Sequence, residues 1–413
     1  VREMPVSNGV ERKRVTTSHG RYYSARIAAQ RRKKLIIIQN LRRRKGARGL
    51  RTSPIKVEGR GINEREALAV LVGTQIGAGV LGLPYAAAKV GLIPAIGVLI
   101  GVMVLMLGTA FITLRFSAEM GGAQMSTIAN RTLGKAGGWL MYLSITLMSF
   151  GALLAYVAGM GQVFSSLFGV SETVGGFIFW VLASIVVYHG LEASGKTELI
   201  MSYVMLALFV GVTMMLVPHS RLENGLYADF SGVLSITGVA IFALGCHTII
   251  PDVYKGLGSY EKTKRVVVLA FLIPTVIYAV FMTSFLLVFG RGTPEVATQG
   301  LEALYGRAGW LVGNLIPLLA ITTSYIGIAL AQQSNSEEFV RFKRPVAWGL
   351  TVIPPALVYF AGVRNFADVL AFAGDTGDML AFIVLPLLIW GVEKIRGVRA
   401  RSREKAPKTL PAP

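Results

Sequence analysis

Two runs of this chain, Gly91–Thr113 and Val266–Phe289, contain no charged residue at all. Apolar runs of eighteen or more residues are long enough, as helices, to cross a hydrocarbon core ~30 Å thick. In such a medium a backbone must satisfy its own hydrogen bonds, so helices are the natural solution. Read for windows of about 20 residues, the chain offers ten: roughly 66–88, 91–114, 139–168, 174–190, 198–217, 233–256, 265–289, 310–333, 345–362 and 367–391. They are called segments 1 to 10 below. Composition agrees, since 53% of the residues are apolar and only 15% charged, where a soluble domain has about a quarter charged. The sequence therefore predicts an all-α polytopic membrane protein of about ten transmembrane helices. No cleavable signal peptide is expected, because the first apolar run, Leu35–Ile38, is too short for its core.

The net charge of +20 suggests a nucleic-acid partner until it is divided along the chain. Residues 1–60 hold 18 Lys/Arg against 3 Glu, and residues 393–413 hold 7 against 2, which leaves 17 of each sign between. The body is neutral and the tails carry the excess. Residues 1–61 and 392–413 are thus expected to be basic cytoplasmic tails, the first disordered. Clusters such as Arg31-Arg-Lys-Lys34 and Arg42-Arg-Arg-Lys45 suit anionic lipid rather than a specific nucleic acid. One cysteine, Cys246, excludes a disulfide scaffold, and His19, His189, His219 and His247 lack metal-ligand spacing. No cofactor, no nucleophile–base pair and no enzyme is expected.

Orientation follows the Lys/Arg bias of the connections. With the amino terminus inside, Arg65 and the even-numbered connections carry twelve Lys/Arg, and the odd-numbered ones carry five: Lys89, Arg221, Arg291, Arg307 and Arg364. Both termini are expected in the cytoplasm, and the protein in the cell membrane.

Segment 1 reads Val72-Gly-Thr-Gln-Ile-Gly-Ala-Gly-Val-Leu-Gly-Leu-Pro84, poor material for an unbroken helix. Five segments later Phe242-Ala-Leu-Gly-Cys-His-Thr-Ile-Ile-Pro251 is interrupted in the same way. Irregular backbone at bilayer depth survives where it lines a protein-walled cavity. Paired breaks in corresponding segments of two halves point to a five-plus-five inverted-repeat transporter with its site at the breaks. The transporter domain is expected over 62–391, with repeat one at 62–217 and repeat two at 231–391.

At these residues the chain resembles a known group. Gly73-Thr-Gln-Ile-Gly-Ala-Gly-Val-Leu-Gly-Leu-Pro-Tyr-Ala86 is similar to the first-helix motif of bacterial aromatic amino acid permeases and of the amino acid/auxin permeases, within the amino acid–polyamine–organocation superfamily. Ala155-Tyr-Val-Ala-Gly159, Phe242–Pro251 and Thr323-Ser-Tyr-Ile-Gly-Ile-Ala-Leu330 are similar to its third-, sixth- and eighth-helix segments. The resemblance implies secondary active transport of amino acids, neutral or aromatic ones favoured, in symport with sodium or protons. A nutrient receptor keeping the same fold and pocket without transport is the alternative.

Freed N–H groups at Gly77, Ala78 and Gly79 can bind a substrate carboxylate at a helix N-terminus, with Thr74 beside them. Carbonyls of Phe242, Ala243 and Gly245 can receive the amino group, and Tyr156 can lie against the pocket with its hydroxyl on the carboxylate. Sodium-coupled relatives imply a cation site from the carbonyls of Gly73, Ile76 and Ala320 with the hydroxyls of Thr323 and Ser324, against the plainer reading of hydroxyls bonded to their own helix. His247, Asp375 and Asp378 are the proton-coupling candidates. For the two carboxylates, an interruption of segment 10 at Gly374–Gly377, opening a wet vestibule, is the competing explanation.

Overall fold

The computed structural model describes residues 61–189 and 195–405, without the side chains of 195–202 and 397–405. Residues 1–60 and 406–413, most of the two expected tails, lie outside the described residues. Among the described residues every regular element is a helix.

Each of the ten windows carries helix. Segment 1 is Glu64–Gln75 followed by Gly79–Ala88, segment 2 Leu92–Glu119, segment 3 Lys135–Phe168, segment 4 Glu172–His189 and segment 5 Gly195–Leu216. Segment 6 is Val233–Ala243 followed by Ile250–Leu257, segment 7 Tyr260–Phe289, segment 8 Leu301–Asn335 and segment 9 Arg344–Phe360. Segment 10 begins at Phe366 and runs to Lys405. The last helix thus passes the expected boundary at 391, running on through Gly391. Segments 2, 3, 4, 7 and 8 are each long and apolar enough to cross a membrane, and the two halves of segment 1, bent by 47°, qualify together. The connection between segments 2 and 3 holds a short helix, Met125–Leu133.

Local chemistry sets the ends. Segment 1 starts in a capping box, in which Asn63 accepts from the Glu66 N–H while Glu66 accepts from the Asn63 N–H, both at 3.0 Å. Pro251 opens the second half of segment 6, where its missing N–H costs nothing. Gly169 and Gly258 end segments 3 and 6 in the left-handed conformation.

Segment 3 is the mast of the molecule: 72% of its apolar stretch is buried, against 33% for segments 2 and 4. Its small residues Gly151, Ala155 and Gly159 let segments 8 and 10 approach closely. Outward-facing apolar side chains such as Ile93, Val104, Leu182, Val276 and Leu350 form the surface a lipid phase would cover.

Side-chain contacts sort the connections onto two faces. On one, Lys89 pairs with Asp368 at 2.8 Å, Arg291 with Asp229 at 3.4 Å, and the Tyr227 hydroxyl donates to the Ala88 carbonyl at 2.6 Å. On the other, Arg265 pairs with Glu64 at 3.1 Å, Gln124 donates to Asp252 at 2.9 Å and Ser126 to Asn335 at 3.3 Å. The first set belongs to odd-numbered connections and the second to the amino terminus and even-numbered ones, as alternating crossings require.

Candidate functional site

The site is built where the two broken segments cross. Segment 1 leaves its helix at Ile76, with φ −75° and ψ 66°, and resumes at Gly79. Segment 6 stops at Ala243 and resumes at Ile250. Each break exposes carbonyls on one side and N–H groups on the other, which regular helix would have paired. The breaks touch at Gly79: a methyl group there would lie 2.9 Å from Ala243 Cα and 3.3 Å from Phe242 Cδ1. Only glycine permits that approach. At Gly77 a methyl would overlap Ser324 Oγ, so segment 8 is pressed against the same turn.

Ser324 meets the break directly. Its Oγ accepts the Ala78 N–H at 3.3 Å and lies close to the Tyr156 hydroxyl of segment 3. The buried Tyr156 ring stands edge-on to Phe242, centroids 6.3 Å apart. Asp378 lies within electrostatic reach of the Tyr156 hydroxyl. The fold therefore gathers Gly77, Ala78, Gly79, Tyr156, Phe242, Ala243 and Ser324 around one point. Gly245 lies a little apart, where a methyl would meet the Phe382 ring at 2.9 Å.

Other expected residues sit elsewhere or are engaged. The hydroxyl of Thr323 donates back into its own helix, to Leu319 O at 3.0 Å and Ala320 O at 3.2 Å. Thr74 does the same to Val70 O at 2.7 Å. Both threonine hydroxyls are thus engaged with their own helices in this conformation. His247 turns away from the crossing toward segment 2, with Nε2 3.0 Å from Thr109 Oγ1 and its ring stacked on Phe382 at 4.7 Å. Its Nδ1 is buried without a partner.

Segment 10 is not interrupted at Gly374–Gly377. Gly374–Val384 instead winds as a wide π-helical stretch, which keeps backbone bonds while re-aiming side chains. A methyl at Gly374 would overlap the Gly238 carbonyl, and one at Gly377 the Met148 backbone, so this stretch is wedged between segments 6 and 3. The wedge sends Asp375 against Gly238 and buries Asp378, which is 1% exposed. Each carboxyl keeps one oxygen, Oδ1, buried and unpaired.

Two residues at the crossing escaped the sequence reading. The Tyr278 hydroxyl of segment 7 bonds the Gln75 carbonyl at 2.5 Å and lies 3.1 Å from that of Ala243. It thereby serves the last carbonyl before each break. Gln75, beside Cys246, is 2% exposed, and its amide nitrogen and oxygen have no nitrogen or oxygen partner. The one tyrosine within Val266–Phe289 was the available signal, since a buried tyrosine hydroxyl seeks an acceptor.

At the membrane surface, the side-chain and backbone hydrogen bonds of Ser231, with help from Arg291, hold the Asp229 carboxyl below the usual carboxylate range. Burial raises the Tyr227 hydroxyl, against the opposing pull of Arg291.

An all-helical bundle with paired, touching breaks in the first segments of its two halves defines a broken-helix secondary transporter. The overall fold agrees with that of MhsT in complex with L-phenylalanine, at a TM-score of 0.60 and 14% identity, covering 80% of this chain and 89% of that one. It agrees likewise with the inward-facing conformation of Mhp1, at a TM-score of 0.59 and 14% identity, covering 87% and 95%. The chain belongs to the tryptophan/tyrosine permease family, whose description matches residues 65–401. Similar relatives are the tyrosine-specific transport system 1 of Haemophilus influenzae, 28% identical over 78% of this chain and 86% of that protein. Glutamine transporter 2 of Aliivibrio fischeri is 23% identical over 78% and 87%. The protein is a multi-pass membrane transporter of amino acids, neither an enzyme nor a receptor.

Proposed function

We propose that the protein is a proton-coupled symporter of neutral amino acids, aromatic ones favoured, in the cell membrane with both termini in the cytoplasm. The observation that carries this reading is the crossing of the breaks at Gly79 and Ala243 under Tyr156 and Ser324. The N–H groups opening the second half of segment 1, at Ala78 and Gly79, take the substrate carboxylate with help from the helix dipole. Carbonyls of Phe242 and Ala243, at the end of a half-helix, take the ammonium group. Tyr156 and Phe242 offer ring faces and edges to an aromatic side chain. The relatives named for tyrosine and glutamine, and the phenylalanine in the MhsT structure, support this substrate class.

For coupling, Asp378 is the preferred group, with Asp375 and His247 behind it. It is buried, keeps an unpaired oxygen and lies near Tyr156, so gaining or losing a proton there is felt at the site. A sodium ion held by Gly73, Ile76, Ala320, Thr323 and Ser324 is the second reading. It requires Thr323 to give up its bonds to its own helix.

Segments 1, 2, 6 and 7 rock against the rest to give alternating access. The ties Lys89–Asp368, Arg291–Asp229 and Tyr227–Ala88 hold the odd-numbered, outer face shut, while Thr74 and Thr323 are exposed on the inner side of the breaks. The basic tails would lie on anionic lipid of the inner leaflet.

Uptake of labelled L-tyrosine into proteoliposomes under an imposed proton or sodium gradient tests the coupling. An inward proton gradient should drive accumulation in the parent, and Asp378→Asn should lose that accumulation while keeping exchange. Sodium-driven uptake that Thr323→Ala abolishes would overturn the proton reading.

A further inference from the structure

Glu295 lies in the outer connection between segments 7 and 8 and takes part in no ion pair among the described residues. Both of its carboxylate oxygens are nevertheless engaged. Oε1 accepts from Asn365 Nδ2 at 2.7 Å, and Oε2 accepts from the Phe366 backbone N–H at 3.2 Å and from Gln162 Nε2 at 3.4 Å. One side chain thus gathers the start of segment 10 and the outer end of segment 3. Asn365 is itself the cap of segment 10, with its Oδ1 accepting the Asp368 N–H at 2.7 Å.

What the carboxylate holds is the ring of Phe366. That ring is fully buried between two glycines. A methyl at Gly159 of segment 3 would lie 2.8 Å from it, and one at Gly82 of segment 1 would lie 3.7 Å away. Gly159 is one helical turn past Tyr156, and Gly82 one turn past Gly79. Phe366 therefore roofs the crossing of the breaks from the outer side. Beside the latch is a cavity of about 420 Å³ lined by Gln162, Ser166, Glu172, Glu295 and Glu302 among others, so water reaches the carboxylate. Hydrogen bonds that are charge-assisted yet reachable by water are strong enough to hold and able to exchange.

We infer that Glu295 is the positioning residue of the outer gate: it holds Phe366 over the substrate site, and release of its three hydrogen bonds admits substrate from outside. This rests on the proposed assignment of faces, and the test separates the two. A reporter thiol, Ile321→Cys in a Cys246→Ala background, lies under the roof, since Ile321 also contacts the Gly159 position. A membrane-impermeant maleimide is added to either face of reconstituted vesicles.

Glu295→Gln sets a carboxamide N–H against an existing donor, and Asn365→Asp sets a carboxylate against Glu295 while preserving the cap on segment 10. Each should speed labelling from the outer face by about tenfold, the scale of one lost charge-assisted hydrogen bond. Together the two substitutions recreate a complementary pair with its polarity reversed, and labelling should return to the slow parental rate. Glu302→Gln, in the same cavity, should leave the rate unchanged. Acceleration from the inner face alone would keep the latch and overturn the assignment of faces. Parental rates in both single variants, or a double variant as fast as the singles, would overturn the latch.

Discussion

At the residue scale the molecule depends on contacts too tight for any side chain. Gly79 touches Ala243 through backbone, which cannot yield. Gly79→Ala is therefore expected to abolish substrate binding, measured by the loss of ligand-induced thermal stabilisation. Gly77 is different, because what a methyl would strike there is the hydroxyl of Ser324. Gly77→Ala should lower the melting temperature, and Ser324→Ala in the same chain should recover most of the loss; no recovery would show that the crowding lies elsewhere. Tyr278→Phe leaves the carbonyls of Gln75 and Ala243 without their donor. It should cost about 1–3 kcal/mol, read as a lower melting temperature. The glycines and the break were legible in sequence, because Gly-rich runs interrupt an apolar window. Tyr278 was not, since only the fold brings segment 7 to both breaks. Nor was the direction of His247, which its neighbours in sequence do not set.

At the element scale, segment 10 is the least regular unit and the one sequence periodicity read least well. Asp375 and Asp378, three residues apart, suggested one helical face or a broken stretch. The π-helical winding of Gly374–Val384 gives neither, sending Asp375 toward segment 6 and Asp378 into the interior. Widened winding depends on the wedge between segments 3 and 6, which no local pattern encodes. Gly377→Ala, meeting Met148 backbone, should cost about 3 kcal/mol. Gly391→Ala, where a methyl finds open space, should leave the melting temperature unchanged. Equal effects of the two would contradict the wedge.

At the scale of the whole molecule, charge partition and apolar windows were enough to anticipate an all-helical membrane protein with helix in each window, because membrane crossing imposes length and composition directly. Their sorting into two faces was implied by counting and is visible in the ties at each end. Among the ties of the odd-numbered connections Asp229 also carries a pH signature. Its carboxyl is held below the usual range, first by Ser231 and then by Arg291. A depressed folded-state value contributes stability above the ordinary carboxylate range, lost as pH falls through the lowered one. Parent and Asp229→Asn should thus differ by a constant offset in melting temperature from neutral pH down to that range, and converge only in stronger acid.

Substrate is expected to bind at the crossing of the two breaks and to be carried across the membrane. Counterflow of labelled L-tyrosine in proteoliposomes preloaded with unlabelled tyrosine tests it most directly. A transient overshoot is expected with the parent and none with Gly79→Ala. Saturable tyrosine binding by the parent without any overshoot would contradict it.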